Sequence, residues 1–271
     1  MNPFPIDAYA YANRLRWAHP AEKIGFAGLT IGVCLVSGAP LVALLAGLIV
    51  TLAITQLAGI RLGAFWYFVR LPIGFIALSV VTMAVATVPQ DGSGALVSAP
   101  LGPWRIGISE TGLQQGLRVF AVSLASVSAS LFLALTTPMV DICDQLRRWK
   151  VPALFVELMT LVYRFIFVLI ETAQAMHIAQ EARLGYSTTG RSLRSVGTLA
   201  SNLYLRSNAR AASLFTALTA RGYTGDLTVL QEVPHWSRRN LLLIAAAETL
   251  LIAAALALTA LPVSPALSGA M

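Results

Sequence analysis

The sequence predicts an all-α integral membrane protein, with about five transmembrane helices and a cytoplasmic domain of long amphipathic helices. Three observations lead there. Of 271 residues, 57% are hydrophobic and only 11% charged, and the mean hydropathy is +0.73, more apolar side chain than one soluble core can use. The apolar residues gather in stretches close to the ~20 residues that cross a bilayer as a helix. Twelve of the 19 basic residues fall between Pro138 and Arg239, the kind of excess that collects on cytoplasmic loops. The net charge of +7 therefore reports topology and not nucleic acid.

Residues 1–136 read as an N-terminal membrane region with spans at about 24–38, 40–58, 65–88 and 112–136. Met1 to Pro20 lacks the apolar centre and cleavage pattern of a secretory signal, so the first apolar run is expected to stay as a span. The first two spans are separated only by "SGAP", which predicts a tight helical hairpin. The third is entered through "FWYF" and contains Arg70 and Pro72. Between the third and fourth, "PQDGSGALVSAPLGPWRIGISE" is dense in Pro and Gly and reads as a loop or short hairpin. Small residues recur every fourth position at Gly28 and Gly32, Ala43 and Gly47, Ser126 and Ser130, and Ala253 and Ala257, a pattern that permits close helix packing in lipid. The fourth span, with Ser123, Ser126 and Ser130, is small and weakly polar over several turns, as a sliding or exchangeable helix contact needs.

Residues 137–239 form the basic insert, and residues 240–271 a last span and tail. The positive-inside bias puts the insert, the N-terminus with Arg14, Arg16 and Lys23, and the loop at Arg61 on the cytoplasmic side. Val151 to Ala175 is apolar but carries Glu157, Arg164 and Glu171 seven residues apart, on one stripe of a helix. A charged stripe inside a span competes here with a helix lying partly in the interface, and the interfacial reading preserves five crossings.

Several chemistries are excluded by what the chain lacks. Neither lysine, Lys23 nor Lys150, ends a phosphate-binding G-x-x-x-x-G-K-[ST] loop. His19, His177 and His235 are far apart in sequence, with no second histidine or cysteine at helical spacing, and read as solvated or interfacial. Two cysteines, Cys34 and Cys143, make no disulfide framework. Glu248 is the single carboxylate at depth in a span, expected either at a helix interface or snorkelling. No cofactor is called for in this chain.

From Arg191 to Thr219 apolar residues recur every three or four positions, the period of an amphipathic helix. It ends at Ala220-Arg221-Gly222, where glycine can adopt the left-handed closure. The preceding helix ends at Ala182-Arg183-Leu184-Gly185, and a tyrosine follows each, Tyr223 and Tyr186. Arginine is suited to binding carboxylates and carbonyls in a partner's groove, and two matching ends suggest two equivalent grooves.

"EARLGY" and "TARGYTG" resemble the paired Ala-Arg-Gly signatures of the transmembrane T component of energy-coupling-factor transporters, with Leu184 standing where the first signature has glycine. "IDAYAYANRLRWAHPAEK" further resembles the cobalt-type, CbiQ-like branch. The resemblance implies a non-catalytic coupling subunit in the plasma membrane of a bacterium or archaeon. Ala182, Arg183 and Gly185 would dock one cytoplasmic ABC-type ATPase and Ala220, Arg221 and Gly222 a second. ATP and Mg would be bound by those partners, and a substrate-binding membrane subunit, CbiM-like, would sit against the spans, with room for an additional small membrane subunit. Cobalt is the implied cargo, nickel or a vitamin the alternative. From the residues alone, two other classes stay open: a membrane-embedded enzyme acting on an anionic lipid or phosphorylated substrate, and a self-sufficient channel or secondary transporter.

Overall fold

The structure is a computed structural model and describes residues 5–88, 95–101, 104–223 and 236–260. The described residues fall into two compact units, one of residues 5–138 with 236–260 and one of residues 139–223.

In the first unit α1 (Pro5–Ala12) leads into α2 (Pro20–Ser37). Pro20 occupies the first turn, where its missing N–H costs nothing, and the His19 ring accepts the Ala21 N–H at 3.2 Å. His19 is only 2% exposed and stacks on Trp236 at 3.9 Å. It is a buried cap, not the solvated or interfacial residue expected, because an aromatic face over two hundred positions away covers it.

The "SGAP" turn is as tight as its sequence predicts. Gly38 is left-handed, φ 55°, and a Cβ there would collide with the Arg118 guanidinium. Helix α3 (Pro40–Leu52) runs into a π-turn (Ala53–Leu57). Helix α4 (Leu62–Ala84) continues through Pro72, a break that helices in lipid tolerate.

The third span is shorter than expected: residues 85–88 are strand, not helix. Val85–Val88 (β1), Ala95–Leu101 (β2) and Trp104–Ser109 (β3) make a small antiparallel sheet in the order β1-β3-β2, with Val85 opposite Ile108. Valine and threonine at 85, 87 and 88 favour the pleat. The connections at 89–94 and 102–103, part of the expected loop or hairpin, lie outside the described residues. The spans themselves are all helical.

Helix α5 (Glu110–Thr136) packs against α1, α2, α3 and α4. Its inner face is Ala121, Ala125, Ala129, Phe132 and Leu135, all buried, and Phe132 meets Phe26 edge to face at 5.2 Å. The glycines at its start, Gly112 and Gly116, let it lie on α4: a Cβ on Gly112 would sit 2.5 Å from the Met83 carbonyl oxygen. This close pair was not singled out in the sequence, whereas Gly28, Gly32 and Gly47 of the expected ridges have no atom within 4 Å of a Cβ position. Those three glycines take no part in close packing within the chain.

A polar knot ties the N-terminus to the end of α5. The Asn13 amide donates to Ala10 O at 2.7 Å and Leu135 O at 3.3 Å, and the Lys23 ammonium donates to Leu15 O and to Thr136 O at 2.9 Å. A cation on the last carbonyls of a helix is favourably placed. Helix α9 (Arg238–Ala260) lies on α2. Its Glu248 is 5% exposed and accepts the Thr30 hydroxyl at 2.7 Å, at a helix interface as expected.

The second unit contains α6 (Met139–Arg148), α7 (Ala153–Glu181) and α8 (Thr189–Ala220). Asp141 in the first turn and Arg147 and Arg148 in the last suit the dipole of α6. Among the described residues six helices are long and apolar enough to cross a membrane, and α7 is the addition to the five crossings expected. Its expected charged stripe is divided: Glu157 is buried, while Arg164 and Glu171 are exposed.

Candidate functional site: two arginine helix ends

Helices α7 and α8 pack as an antiparallel hairpin joined by the elbow at residues 182–188. At the elbow the Gln180 side chain donates to Ser195 O at 3.1 Å, and the Ser195 hydroxyl donates to Gly185 O at 2.9 Å. At the far end, 66 residues apart in sequence, the Tyr223 hydroxyl donates to a Glu157 carboxylate oxygen at 2.5 Å. The 32 residues of α8 rise ~1.5 Å each, so the rod is about 48 Å long. Arg183 lies by one end and Arg221 at the other.

The two ends close bond for bond alike. Arg183 N–H donates to Gln180 O, Leu184 N–H to Glu181 O, and Gly185 N–H back five residues to Gln180 O. Arg221 N–H donates to Leu218 O, Gly222 N–H to Thr219 O, and Tyr223 N–H back five residues to Leu218 O. This is the closure that satisfies the orphan carbonyls of a helix terminus through one left-handed residue. At the second end that residue is Gly222, φ 72°, and at the first it is Leu184, φ 57°.

The structural equivalent of Gly222 is thus Leu184, and Gly185 matches Tyr223. Gly185 has a separate task in the elbow, where a Cβ would lie 2.8 Å from Ser195 Oγ and 2.9 Å from Gln180 O. For leucine the left-handed conformation costs about 1–2 kcal/mol. Nothing in the sequence signals which residue of Leu184-Gly185 turns left-handed, because glycine is the usual choice and here it is passed over.

Ala182, Arg183, Ala220, Arg221 and Gly222 are all exposed. The surroundings of the two arginines differ. Arg183 shares a cavity of about 330 Å³ with Arg191 and Arg194, and no carboxylate lines it among the described residues. The first turn of α8 likewise has no acidic residue to balance its positive end. Tyr186 completes this side: its hydroxyl donates to Gln180 Oε1 at 2.7 Å and its ring stacks on His177 at 4.6 Å. Beside Arg221 stands instead the bond from Tyr223 to Glu157, a residue 7% exposed whose other oxygen is buried without a partner among the described residues. Both tyrosines hold their helix ends in place, a role invisible until distant residues are brought together.

The serines of α5 flank its buried alanine ridge. Ser123 is half-buried, the Ser126 hydroxyl is buried without a partner, and Ser130 is exposed with its hydroxyl donating to Ser126 O at 3.0 Å. Among the described residues no group of three His, Cys, Asp or Glu side chains is arranged to hold a metal ion.

A family model described as cobalt transport protein, CbiQ, matches residues 15–232. A cobalt transport protein CbiQ of Rhodobacter capsulatus is 35% identical over 254 residues, covering 92% of this chain and 96% of the relative. An uncharacterised protein of Methanocaldococcus jannaschii is 32% identical over 247 residues, 91% of each chain. A putative fused cobalt transport protein CbiMQ of Methanocorpusculum labreanum is 28% identical over 230 residues, 85% of this chain but 38% of that longer protein. With a multi-pass helical body and a match over most of its length, the chain belongs to the CbiQ family of cobalt transport proteins.

Proposed function

We propose that this chain is the non-catalytic coupling subunit of an ATP-driven importer of energy-coupling-factor type, moving cobalt ion across the plasma membrane. The observation that carries the reading is the pair of matched arginine ends set apart by most of the ~48 Å length of α8. Two tips so far apart cannot enter one groove, so they suit two copies of a cytoplasmic ATPase, one gripping Ala182 and Arg183, the other Ala220, Arg221 and Gly222. Exposed guanidiniums fit such grooves because a planar fork binds carboxylates and carbonyls with several donors at once. ATP and Mg belong to those partners.

The spans then hold a substrate-binding membrane subunit, with the Ser123, Ser126 and Ser130 side of α5 as the contact. That a relative's name joins CbiM and CbiQ in one fused protein supports a CbiM-like companion. A further small membrane subunit is compatible with this arrangement. The excess of arginine in 137–239 supports a cytoplasmic insert and N-terminus. Closure of the ATPases on ATP draws the tips together, which the hairpin transmits as a change of angle between α7 and α8. Such coupling requires contacts that differ between the ATP-bound and free states, not simply tight ones.

The test is co-purification with the ATPase subunits and cobalt uptake by cells expressing Arg183→Ala, Arg221→Ala and both. Each single variant is expected to weaken attachment, and the double variant to abolish it while still reaching the membrane. Full attachment and uptake in the double variant overturn the proposal.

A further inference from the structure

The first helix end is built differently from the second in one respect that costs backbone energy. At the same place in the same hydrogen-bonded closure, one end uses Gly222 and the other Leu184. Glycine would adopt φ near 57° freely, whereas a leucine there is held in a conformation that L residues avoid. Packing within the chain does not repay this, since the Leu184 side chain is 68% exposed. Strain retained at an exposed point is a pointer to function when nothing internal requires it.

What surrounds Leu184 says what would cover it. It lines the cavity containing Arg183, Arg191 and Arg194, with Gln180 and Ser195 as neutral polar lining and no carboxylate among the described residues. Three guanidiniums around an apolar knob match a groove with an apolar floor and an acidic rim. Exposed apolar residues also run along α8 at Leu193 and Val196, but those stand on regular helix, whereas among the described residues Leu184 is the apolar side chain placed on a left-handed turn beside the arginine-lined cavity.

We propose that Leu184 is an apolar anchor, set into a carboxylate-rimmed groove of one ATPase, with Arg191 and Arg194 joining Arg183 on that rim. This rests on the ATPase-docking reading above and deepens it: the two ends are not interchangeable, and the first joint is the more salt-sensitive. Arg191 is held for the task by its own bond to the Ser187 hydroxyl at 3.1 Å, and Thr188 caps the start of α8 through the Arg191 N–H.

The experiment titrates the purified ABC-type ATPase of the same transporter onto the full detergent-solubilised chain, with thermal unfolding measured in parallel. Leu184→Gly is expected to melt at a higher temperature yet bind about ten-fold more weakly, the loss expected when one buried leucine side chain is withdrawn. Leu184→Asn, which tolerates the left-handed turn but offers a polar side chain, is expected to bind as weakly. Arg191→Gln with Arg194→Gln should flatten the salt dependence of attachment, whereas Arg221→Gln should alter it less. A Leu184→Gly chain that melts higher and binds the ATPase like the wild type overturns the anchor while leaving the docking reading intact. So does a defect seen only on vesicles of anionic lipid. Failure of the wild-type chain to bind the ATPase sinks both.

Discussion

Replacing Tyr223 by phenylalanine removes one oxygen and leaves the ring, and its consequences can be worked from the geometry. The lost hydroxyl is the donor to Glu157, whose second oxygen has no partner among the described residues, so the variant leaves the buried carboxyl group bonded to none of them. A hydrogen bond to a charged group is worth about 1.5–3 kcal/mol, and about 2 kcal/mol is a fair central value. The energy is local to the second arginine end. It should appear as faster opening of the Gly222 and Tyr223 amides, whose bonds run to Thr219 O and Leu218 O. At 1.36 kcal/mol per factor of ten, 2 kcal/mol corresponds to about thirty-fold faster hydrogen exchange there. The Leu184 and Gly185 amides, by the elbow, serve as the internal control and should exchange as before. The double variant with Glu157→Met should recover much of the loss, because it removes the buried carboxyl group that Tyr223→Phe alone leaves without its donor. Exchange at Gly222 and Tyr223 within three-fold of wild type in Tyr223→Phe would show that the bond does not hold this end, and the reasoning would fail.

Two further outcomes are expected. Thr30→Val removes the donor to Glu248, leaving the carboxylate between α2 and α9 without a partner; a stability loss of about 1–2 kcal/mol in detergent unfolding is expected, and an unchanged transition would mean that water or lipid satisfies the group. In α6, burial first and then the nearby Asp141 charge raise the pKa of Asp144, against the opposing pull of Arg148 and Arg147. An acid with a raised pKa binds its proton more tightly in the folded than in the unfolded chain, so its contribution is present below the ordinary carboxylate range and lost as pH rises through the raised value. Asp144→Asn should therefore match wild type in acid and melt at a higher temperature at neutral pH. A melting difference that does not vary with pH would count against that sign.

Much of this molecule was legible in order along the chain. Membrane spans are local objects, about twenty apolar residues each, so 24–38, 40–58 and 112–136 lie within a few residues of the helices observed. The two helix ends were legible for the same reason, since small residue, arginine and stop signal are neighbours in sequence. The third span was over-extended because V-A-T-V is apolar enough for lipid but β-branched enough for a strand, and the choice was decided by Ile108 and Gly107 opposite it.

What composition and spacing settled by themselves is the class: a basic, multi-pass helical membrane protein whose arginines gather in one insert, because hydropathy and charge act residue by residue. Only the tertiary structure decided that Leu184 and not Gly185 is the left-handed twin of Gly222, that Tyr223 reaches back to Glu157, and that His19 is sealed under Trp236. Those facts depend on pairs of residues far apart in the chain, and a backbone angle or a buried hydrogen bond exists only once folding has brought both partners into place.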